Sequence, residues 1–252
     1  MIDHTAGRGY ARPVVRVPDD TRPLEAFRGV AVTEIRRHGK QLALVTDAGV
    51  LLVHLGMTGK LLHLSAEGTD PPHTHLSLAL DSGGRLIFSD PRRFGGVWLL
   101  PDEAGLCGRW GRLGPDALRI GPAGLYARLR GTTRALKASL LDQDLVAGLG
   151  NIYVDELLHS RRFDPRRSAH TVTRAQAAGL VRSMRTILHH AIAAGGSTIR
   201  DYADAEGKAG GFQDRHRVYG RGGLPCRRCR RPLHTATVAG RTTVWCRRCV
   251  VG

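Results

Sequence analysis

Four of the five cysteines form two Cys-x-x-C pairs near the C-terminus, 16 residues apart. This spacing is typical of zinc ribbons, in which each pair forms a tight turn and a β-hairpin brings the turns together. His234–Val238 and Thr242–Trp245 favour such a hairpin around an Ala-Gly turn. A site with four thiolates keeps no position open for catalysis, so we expect one structural Zn²⁺. Its ligands are Cys226, Cys229, Cys246 and Cys249.

Two disulfide bonds are the alternative use of these cysteines. The sequence begins Met1-Ile2-Asp3-His4, without the apolar core of a secretory signal, so an oxidising compartment is not indicated. The fifth cysteine, Cys107, lies outside the pattern, and we interpret it as a core or hinge residue rather than a nucleophile.

The charge of the chain points to a polyanionic partner. The 252 residues carry 38 Lys+Arg against 22 Asp+Glu, a formal charge of +16. Ten arginines and no Asp or Glu lie between Arg215 and the C-terminus. With 42% hydrophobic and 24% charged residues the composition is that of a globular protein, and no stretch reaches the ~20 apolar residues of a membrane span. We therefore expect an intracellular protein that binds nucleic acid.

Local patterns predict a β-rich part, then a helical part, then the ribbon. Short β-prone runs at spacings near ten residues suggest a sandwich or barrel. They are Val30–Val32, Gln41–Thr46, Val50–Leu55, Lys60–Leu64, His75–Leu80, Arg85–Phe88 and Gly96–Leu100. Apolar positions at a helical period follow, with Thr173 as a predicted N-cap. The predicted helices are Gly121–Leu129, Thr132–Leu141, Ile152–Ser160 and Thr173–Ala193.

These patterns predict an α+β multidomain fold with four segments. Residues 1–105 are expected to form a β-sandwich lobe, which the family resemblance described below implies is incomplete at its N-terminus. The Gly- and Pro-containing segment 106–116 is expected to form a hinge. Residues 117–213 are expected to form the helical domain and 214–252 the zinc finger. Two lobes joined by a hinge would form a cleft that accepts a duplex.

Seven segments, in this order, resemble one family. They are Ile35–Lys40, His54–Gly59, Asp90–Gly95, Leu140–Gln143, Gly148–Tyr153, Val218–Arg221 and the four-cysteine ribbon. From about Arg12 to Cys249 the sequence resembles the formamidopyrimidine-DNA glycosylases, which are related to endonuclease VIII. The resemblance implies a β-sandwich lobe, a helix–two-turn–helix domain and a zinc finger, in agreement with the local patterns.

The resemblance implies five contacts with DNA outside the lesion. Asn151 and the adjacent amides at a helix start suit a backbone phosphate. By resemblance Lys40 contacts phosphates and assists β-elimination, and Arg241, at the hairpin tip, binds phosphate and assists δ-elimination. Lys137 is expected to be a further phosphate contact. His73 matches a DNA-contacting histidine.

A second implied set acts at the damaged nucleotide. Composition alone would place Met57 and Phe94 in the core, but the family uses these positions, with Arg92, as a wedge. The wedge fills the gap that a flipped nucleotide leaves, which offsets part of the cost of unstacking. Residues 205–211 resemble the loop that closes over a flipped oxidised purine. The loop residues expected to matter are Gly207, Lys208, Gly210 and Gly211.

The match fails where the family's chemistry begins. There a Pro-Glu start supplies the proline amine that forms a Schiff base with the sugar, and the glutamate that moves protons. The present sequence has no Pro-Glu at its start, and the first helix and strand are expected to be missing, with a loss of stability. Either the start was assigned too far downstream, or the chain is truncated and lacks the nucleophile.

The first functional hypothesis is therefore a zinc-containing DNA glycosylase and AP lyase of base-excision repair. Its substrates would be oxidised purines, 8-oxoguanine and formamidopyrimidines, in double-stranded damaged DNA. The alternative is a non-catalytic protein that binds damaged or abasic DNA. An RNA-binding zinc ribbon would explain the charge and the cysteines, but not Asp90–Gly95 or the wedge. We expect a cytoplasmic, nucleoid-associated bacterial monomer with no membrane association.

Overall fold

The computed structural model describes residues 15–16, 24–199 and 202–251. The chain divides into two compact units. The first unit extends to Gly111 and includes Gly195–Gly211, and the second comprises Arg112–Ala194 and Phe212–Gly252. The N-terminal residues that bear on the predicted loss of the family's first helix and strand, 1–14 and 17–23, lie outside the described residues.

The first unit contains two β-sheets. Strands β1, β8, β4, β3 and β2 form one sheet in that order, and β5, β7 and β6 form the other. Only the pairing of β1 with β8 is parallel among the described strands of this unit. The strands are β1 (Val15–Arg16), β2 (Val32–His38), β3 (Gln41–Thr46), β4 (Gly49–His54), β5 (Lys60–Ser65), β6 (Thr74–Ala79), β7 (Gly84–Ser89) and β8 (Gly96–Leu100).

Strand β4 is apolar at successive positions because both of its faces are covered. Leu51 and Val53 face the core between the two sheets, where they join Phe88 of β7. Val50 and Leu52 belong to a second core, together with Leu106 of helix α1 (Glu103–Trp110). Alternate side chains of a strand point to opposite faces, so each face buries its own apolar set.

Helix α1 occupies the first part of the segment predicted as a hinge, residues 106–116. Leu106 is only 1% exposed, and Asp102 caps the helix by accepting a hydrogen bond from the Gly105 amide at 2.8 Å. Burial of one apolar residue outweighs the low helix propensity of the two glycines in the segment. Cys107 lies on the exposed side of α1, rather than in the core.

The second unit is helical and ends in the hairpin. Its elements are α2 (Pro122–Arg130), α3 (Leu136–Leu141), α4 (Asn151–Ser160), α5 (Arg174–Ala193), β9 (His234–Val238) and β10 (Arg241–Trp245). The predicted N-cap is confirmed, since Thr173 and Gln176 form a reciprocal capping box. α3 begins four residues later than predicted. In the described part of the chain, no helix is both long and apolar enough to cross a membrane.

Candidate functional site

The four paired cysteines converge in the second unit. Their sulfur atoms all lie within 4.8 Å of one another. Cys226 and Cys249 Sγ are 3.9 Å apart, and Cys229 and Cys246 Sγ are 3.4 Å apart. These separations are far longer than the ~2.05 Å of a disulfide bond. They are close to the ~3.8 Å between ligands of a tetrahedral zinc–thiolate site with bonds of ~2.3 Å, so the cluster fits Zn²⁺.

The register of the first sheet collects predicted site residues at one end of the sandwich. Gln41 pairs with His54, and His54 pairs with Gly96. Lys40 therefore lies in an exposed turn just before β3, beside the loop that leaves β4 and the loop that enters β8. These two loops are residues 55–59, which contain Met57, and residues 90–95, which contain Arg92 and Phe94.

The second sheet brings His73 to the same end. Ser89, at the end of β7, pairs with both Lys60 and Thr74. His73 directly precedes Thr74, and its backbone is in the left-handed region with φ of 62°. Its carbonyl accepts a hydrogen bond from the Asp90 amide at 3.1 Å. We call this end of the first unit, with Lys40, His73 and the two loops, the strand-end face.

Asp90 holds the loops of the strand-end face together. Its carboxylate is completely buried. One oxygen accepts hydrogen bonds from the Thr58 hydroxyl at 2.5 Å and the Arg92 amide at 3.2 Å, and the other accepts from the Gly95 amide at 2.7 Å. The Asp90 carbonyl oxygen also lies 3.0 Å from Nε2 of His75. The Asp90 side chain thus holds both ends of the loop of residues 90–95 and binds the neighbouring loop of residues 55–59.

The wedge residues are apolar but exposed, contrary to what composition alone would predict. Met57 is 62% exposed and Phe94 is 54% exposed. The guanidinium of Arg92 lies 4.5 Å from the centre of the Phe94 ring. Gly56, with φ of +64°, brings the two loops together, since a Cβ there would lie 2.7 Å from the Phe94 carbonyl carbon. The structure therefore exposes Met57, Arg92 and Phe94 on two loops whose backbones are in contact.

The loop expected to cover a lesion is grouped with the first unit, although the sequence suggested the helical domain. The His63 amide of β5 donates to the Ala205 carbonyl oxygen at 2.8 Å. The Asp204 carboxylate accepts from the Glu206 and Lys208 amides at 3.1 and 2.7 Å. Gly207 turns the loop with φ of 79°, and Gly207, Lys208 and Gly211 are exposed whereas Gly210 is buried.

In the second unit the hairpin tip lies beside the N-terminus of α4. The N-cap, Gly150, has no side chain to bind the first amides of the helix. Nδ2 of Asn151, the first helical residue, donates to the Thr242 carbonyl oxygen at 3.0 Å. Arg241, next to Thr242, is exposed. Together with Arg134, which lies two residues before α3, it lines a concavity of about 490 Å³. Asn151 therefore contacts the residue that follows Arg241 in the hairpin.

Lys137 departs from the expected phosphate contact. Its side chain is completely buried, and its Nζ donates to Asp155 Oδ1 at 2.6 Å, to Thr243 Oγ1 at 2.7 Å and to the Thr242 carbonyl oxygen at 3.2 Å. These bonds use all three donors of an ammonium group. Burial lowers the pKa of Lys137 and raises that of Asp155 to about 6, while their ion pair opposes both shifts. In this structure Lys137 is an internal cation.

Among the described residues, four buried carboxylates were not selected from the sequence: Asp90, Asp116, Asp155 and Glu156. Glu156, 4% exposed, accepts hydrogen bonds from the amides of Arg217, Val218 and Tyr219 at 2.9–3.0 Å, which attaches the segment before the ribbon to α4. A signal was present, because Asp155 follows Asn151 by four residues and so shares its helix face.

Comparisons with known proteins agree with this combination of a two-sheet unit, a helical unit and a four-cysteine hairpin. Residues 6–97 match the family model of the formamidopyrimidine-DNA glycosylase N-terminal domain. Residues 113–203 match that of the formamidopyrimidine-DNA glycosylase H2TH (helix–two-turn–helix) domain. Residues 223–251 match that of the zinc finger found in FPG and IleRS. The fold is therefore that of a DNA-glycosylase-like protein with an H2TH domain and a zinc finger.

Full-length relatives extend the match across the chain. The formamidopyrimidine-DNA glycosylases of Syntrophotalea carbinolica and Paracoccus denitrificans are 40% and 41% identical to it. Their alignments cover 94% and 98% of the chain and 89% and 94% of the relatives. The chain belongs to the formamidopyrimidine-DNA glycosylase (Fpg) family.

Solved structures show the same similarity. The crystal structure of MutM (Fpg) from Thermus thermophilus matches with a TM-score of 0.80 and 41% identity, covering 91% of this chain and 86% of that one. The Lactococcus lactis Fpg in complex with DNA containing an abasic site matches with a TM-score of 0.81 and 34% identity, covering 88% and 83%.

Proposed function

We propose that the protein is a DNA glycosylase with AP lyase activity that acts in base-excision repair on oxidised purines of double-stranded DNA. Family membership supports the class of reaction, and solved relatives hold Fapy-dG or abasic-site DNA. The observation in this structure that carries the proposal is the wedge. Met57 and Phe94 are exposed on two loops that the buried Asp90 holds by hydrogen bonds, and they form a solvent-facing apolar surface with Arg92 next to Phe94.

The wedge suits the space that a flipped nucleotide leaves in a duplex. Flipping costs a few kcal/mol of lost stacking and pairing, and an inserted apolar side chain recovers part of that cost. Arg92, stacked on Phe94, offers five N–H donors to the unpaired base of the opposite strand. Lys40 and His73, on the same strand-end face, are proposed to contact the adjacent backbone.

The second unit supplies backbone contacts. The amides at the start of α4, Asn151 and Arg241 are grouped around the hairpin tip. Helix N-termini and arginine forks both bind phosphate oxygens. The zinc ion, held by the four cysteines, keeps the two-stranded hairpin folded, since a hairpin this small has little core of its own.

Borohydride trapping on damaged duplexes tests the proposal. The protein is incubated with a duplex containing 8-oxoguanine, a duplex containing an abasic site, and a matched undamaged duplex. A covalent adduct and strand cleavage on the two damaged duplexes, but not on the undamaged one, are expected. Tight binding of the abasic duplex without adduct or cleavage would overturn the enzyme assignment and establish the non-catalytic binder.

Finer features of the proposal follow from the sequence. The domain division 1–105, 106–116, 117–213 and 214–252, the monomeric state and a location at the bacterial nucleoid remain predictions. Sedimentation of the free and DNA-bound protein checks the expected one-to-one complex of one chain and one duplex.

A further inference from the structure

The buried cation in the second unit connects helix α4 to the arginine at the hairpin tip. Lys137 bonds to Asp155 Oδ1 on one side and to the Thr243 hydroxyl on the other. That hydroxyl in turn donates to the Arg241 carbonyl oxygen at 2.9 Å. We call Lys137, Asp155 and Thr243 the brace.

Asp155 and Lys137 of the brace, together with Asn151, also bind the outer edge of β10. The Val244 amide donates to Asp155 Oδ2 at 3.1 Å, and the Thr242 carbonyl oxygen accepts from both Lys137 and Asn151. β10 pairs with β9 only on its other edge. An edge strand leaves a row of unpaired amides and carbonyls, and here side chains of α3 and α4 pair with them. The backbone on both sides of Thr243 is therefore fixed to the helices.

The ion pair between Lys137 and Asp155 also affects Arg241 electrostatically. Lys137 lies close enough to Arg241 for the two positive charges to interact. Asp155, 2% exposed, supplies the negative charge beside Lys137. Without that carboxylate, a buried and unpaired ammonium group would repel the arginine at the tip.

We propose that Asp155, acting through Lys137 and Thr243, is a positioning residue that holds Arg241 where it meets a DNA phosphate. The inference rests on the proposed function, because it requires Arg241 to contact duplex DNA. Lys137 then contributes to DNA binding by orienting Arg241 rather than by contacting a phosphate itself.

The salt dependence of binding separates positioning from folding. Removing one protein–phosphate interaction lowers the magnitude of the slope of log K against log salt by about 0.9. Affinity for an abasic-site duplex is measured over a salt series for the wild type and for Arg241→Ala, Asp155→Asn and Thr243→Val, with zinc content and Tm recorded. All three variants are expected to show the same decrease in slope, about 0.9. Adding Arg241→Ala to Asp155→Asn is expected to change the slope no further.

A second variant guards against misfolding. Replacing a buried ion pair by apolar residues of similar size often preserves stability. Lys137→Met/Asp155→Leu leaves the Val244 amide without its acceptor but leaves no unpaired charge. It is therefore expected to keep zinc, to lower Tm less than Asp155→Leu alone, and yet to show the reduced slope. Asp164→Asn, which breaks the exposed pair with Arg166, is the matched control and is expected to keep the wild-type slope.

The possible outcomes separate a failure of this inference from a failure of the proposed function. If Arg241→Ala reduces the slope but the apolar pair and Thr243→Val keep the wild-type slope, the brace only supports the fold and this inference is wrong. If Arg241→Ala itself keeps the wild-type slope, Arg241 meets no phosphate and the inference fails. A wild-type protein that binds no duplex overturns the proposed function and the inference with it.

Discussion

The two units of the molecule present their candidate DNA-contacting residues by different means. The strand-end face exposes apolar side chains on loops, and the buried partner of those loops is one carboxylate, Asp90, bound to amides and a hydroxyl. The second unit exposes Arg241 on a hairpin that depends on the cysteine cluster and on the Lys137–Asp155 ion pair. The first arrangement is suited to filling space at a lesion, and the second to binding charge along the backbone.

Removing zinc is expected to have the largest effect and to affect one unit only. Cys246→Ser opens the metal site, and since zinc binding and folding of such a hairpin are linked, DNA affinity is expected to fall on the order of 100-fold. The strands of the first unit carry their own cores and are expected to remain folded. Metal analysis, anisotropy with labelled duplex and far-UV circular dichroism check the three expectations. A variant that binds DNA normally without zinc would contradict this dependence.

Asp90→Ala is expected to damage the first unit instead. It leaves the buried Gly95 amide and the Thr58 hydroxyl without their partner, which costs about 2–4 kcal/mol of unfolding free energy. Urea unfolding gives the value. The control is Glu103→Ala, which removes an exposed ion pair with Arg36 and should cost much less. Equal losses in the two variants would show that Asp90 is not the anchor of these loops.

The wedge is expected to matter for binding and not for stability. Met57→Ala removes an exposed side chain, so unfolding free energy should change by less than about 0.5 kcal/mol. Affinity for an abasic-site duplex should fall by about 1 kcal/mol, or roughly fivefold. Ile192, also 62% exposed but on α5, provides the matched control, and Ile192→Ala should bind as the wild type does. A similar loss in both variants would argue against a wedge at Met57.

The smallest expected effect is a pH dependence confined to the second unit. Burial and the nearby Arg228 lower the pKa of His159 to about 4, although Glu156 opposes the shift. The unfolded chain therefore binds a proton near pH 6.5 that the folded chain does not, and stability falls as pH drops below 6.5. His159→Leu removes this contribution. Relative to that variant, the wild type should lose about 1 kcal/mol between about pH 7 and 5.5.

Asp155 acts in the opposite direction. Its folded pKa is raised to about 6, so the folded state binds the extra proton and stability from this group decreases as pH rises from about 4 to 6. Only the difference between the wild type and His159→Leu therefore isolates the histidine. A difference that stays constant across the pH range would mean that His159 titrates normally in the folded protein.

Much of the fold could be predicted because local signals and tertiary packing agree. The strand runs, the Thr173 cap and the two cysteine knuckles depend on residues close together in sequence. Helix α1 could not be predicted, because Leu106 makes the segment helical only by packing on β4 and β8. The motif at Ile35–Lys40 is recognisable by resemblance, yet its local pattern does not predict most of strand β2.

The site could be predicted only unevenly, for a similar reason. Exposed tips such as Lys40, Met57 and Arg241 follow from the motifs that surround them. The resemblance assigns Lys137 to a phosphate contact, and only the fold reveals that Asp155 and Thr243 enclose it. Interactions between residues far apart in sequence carry no local signature.

The most direct test of the account compares Phe94→Ala with Arg241→Ala on an abasic-site duplex and on an intact duplex of the same sequence. Arg241→Ala is expected to weaken binding to both duplexes by the same factor, because it removes a backbone contact. Phe94→Ala should weaken binding to the abasic duplex only, and so reduce the preference for damage. Loss of that preference in Arg241→Ala together with its retention in Phe94→Ala would contradict the account.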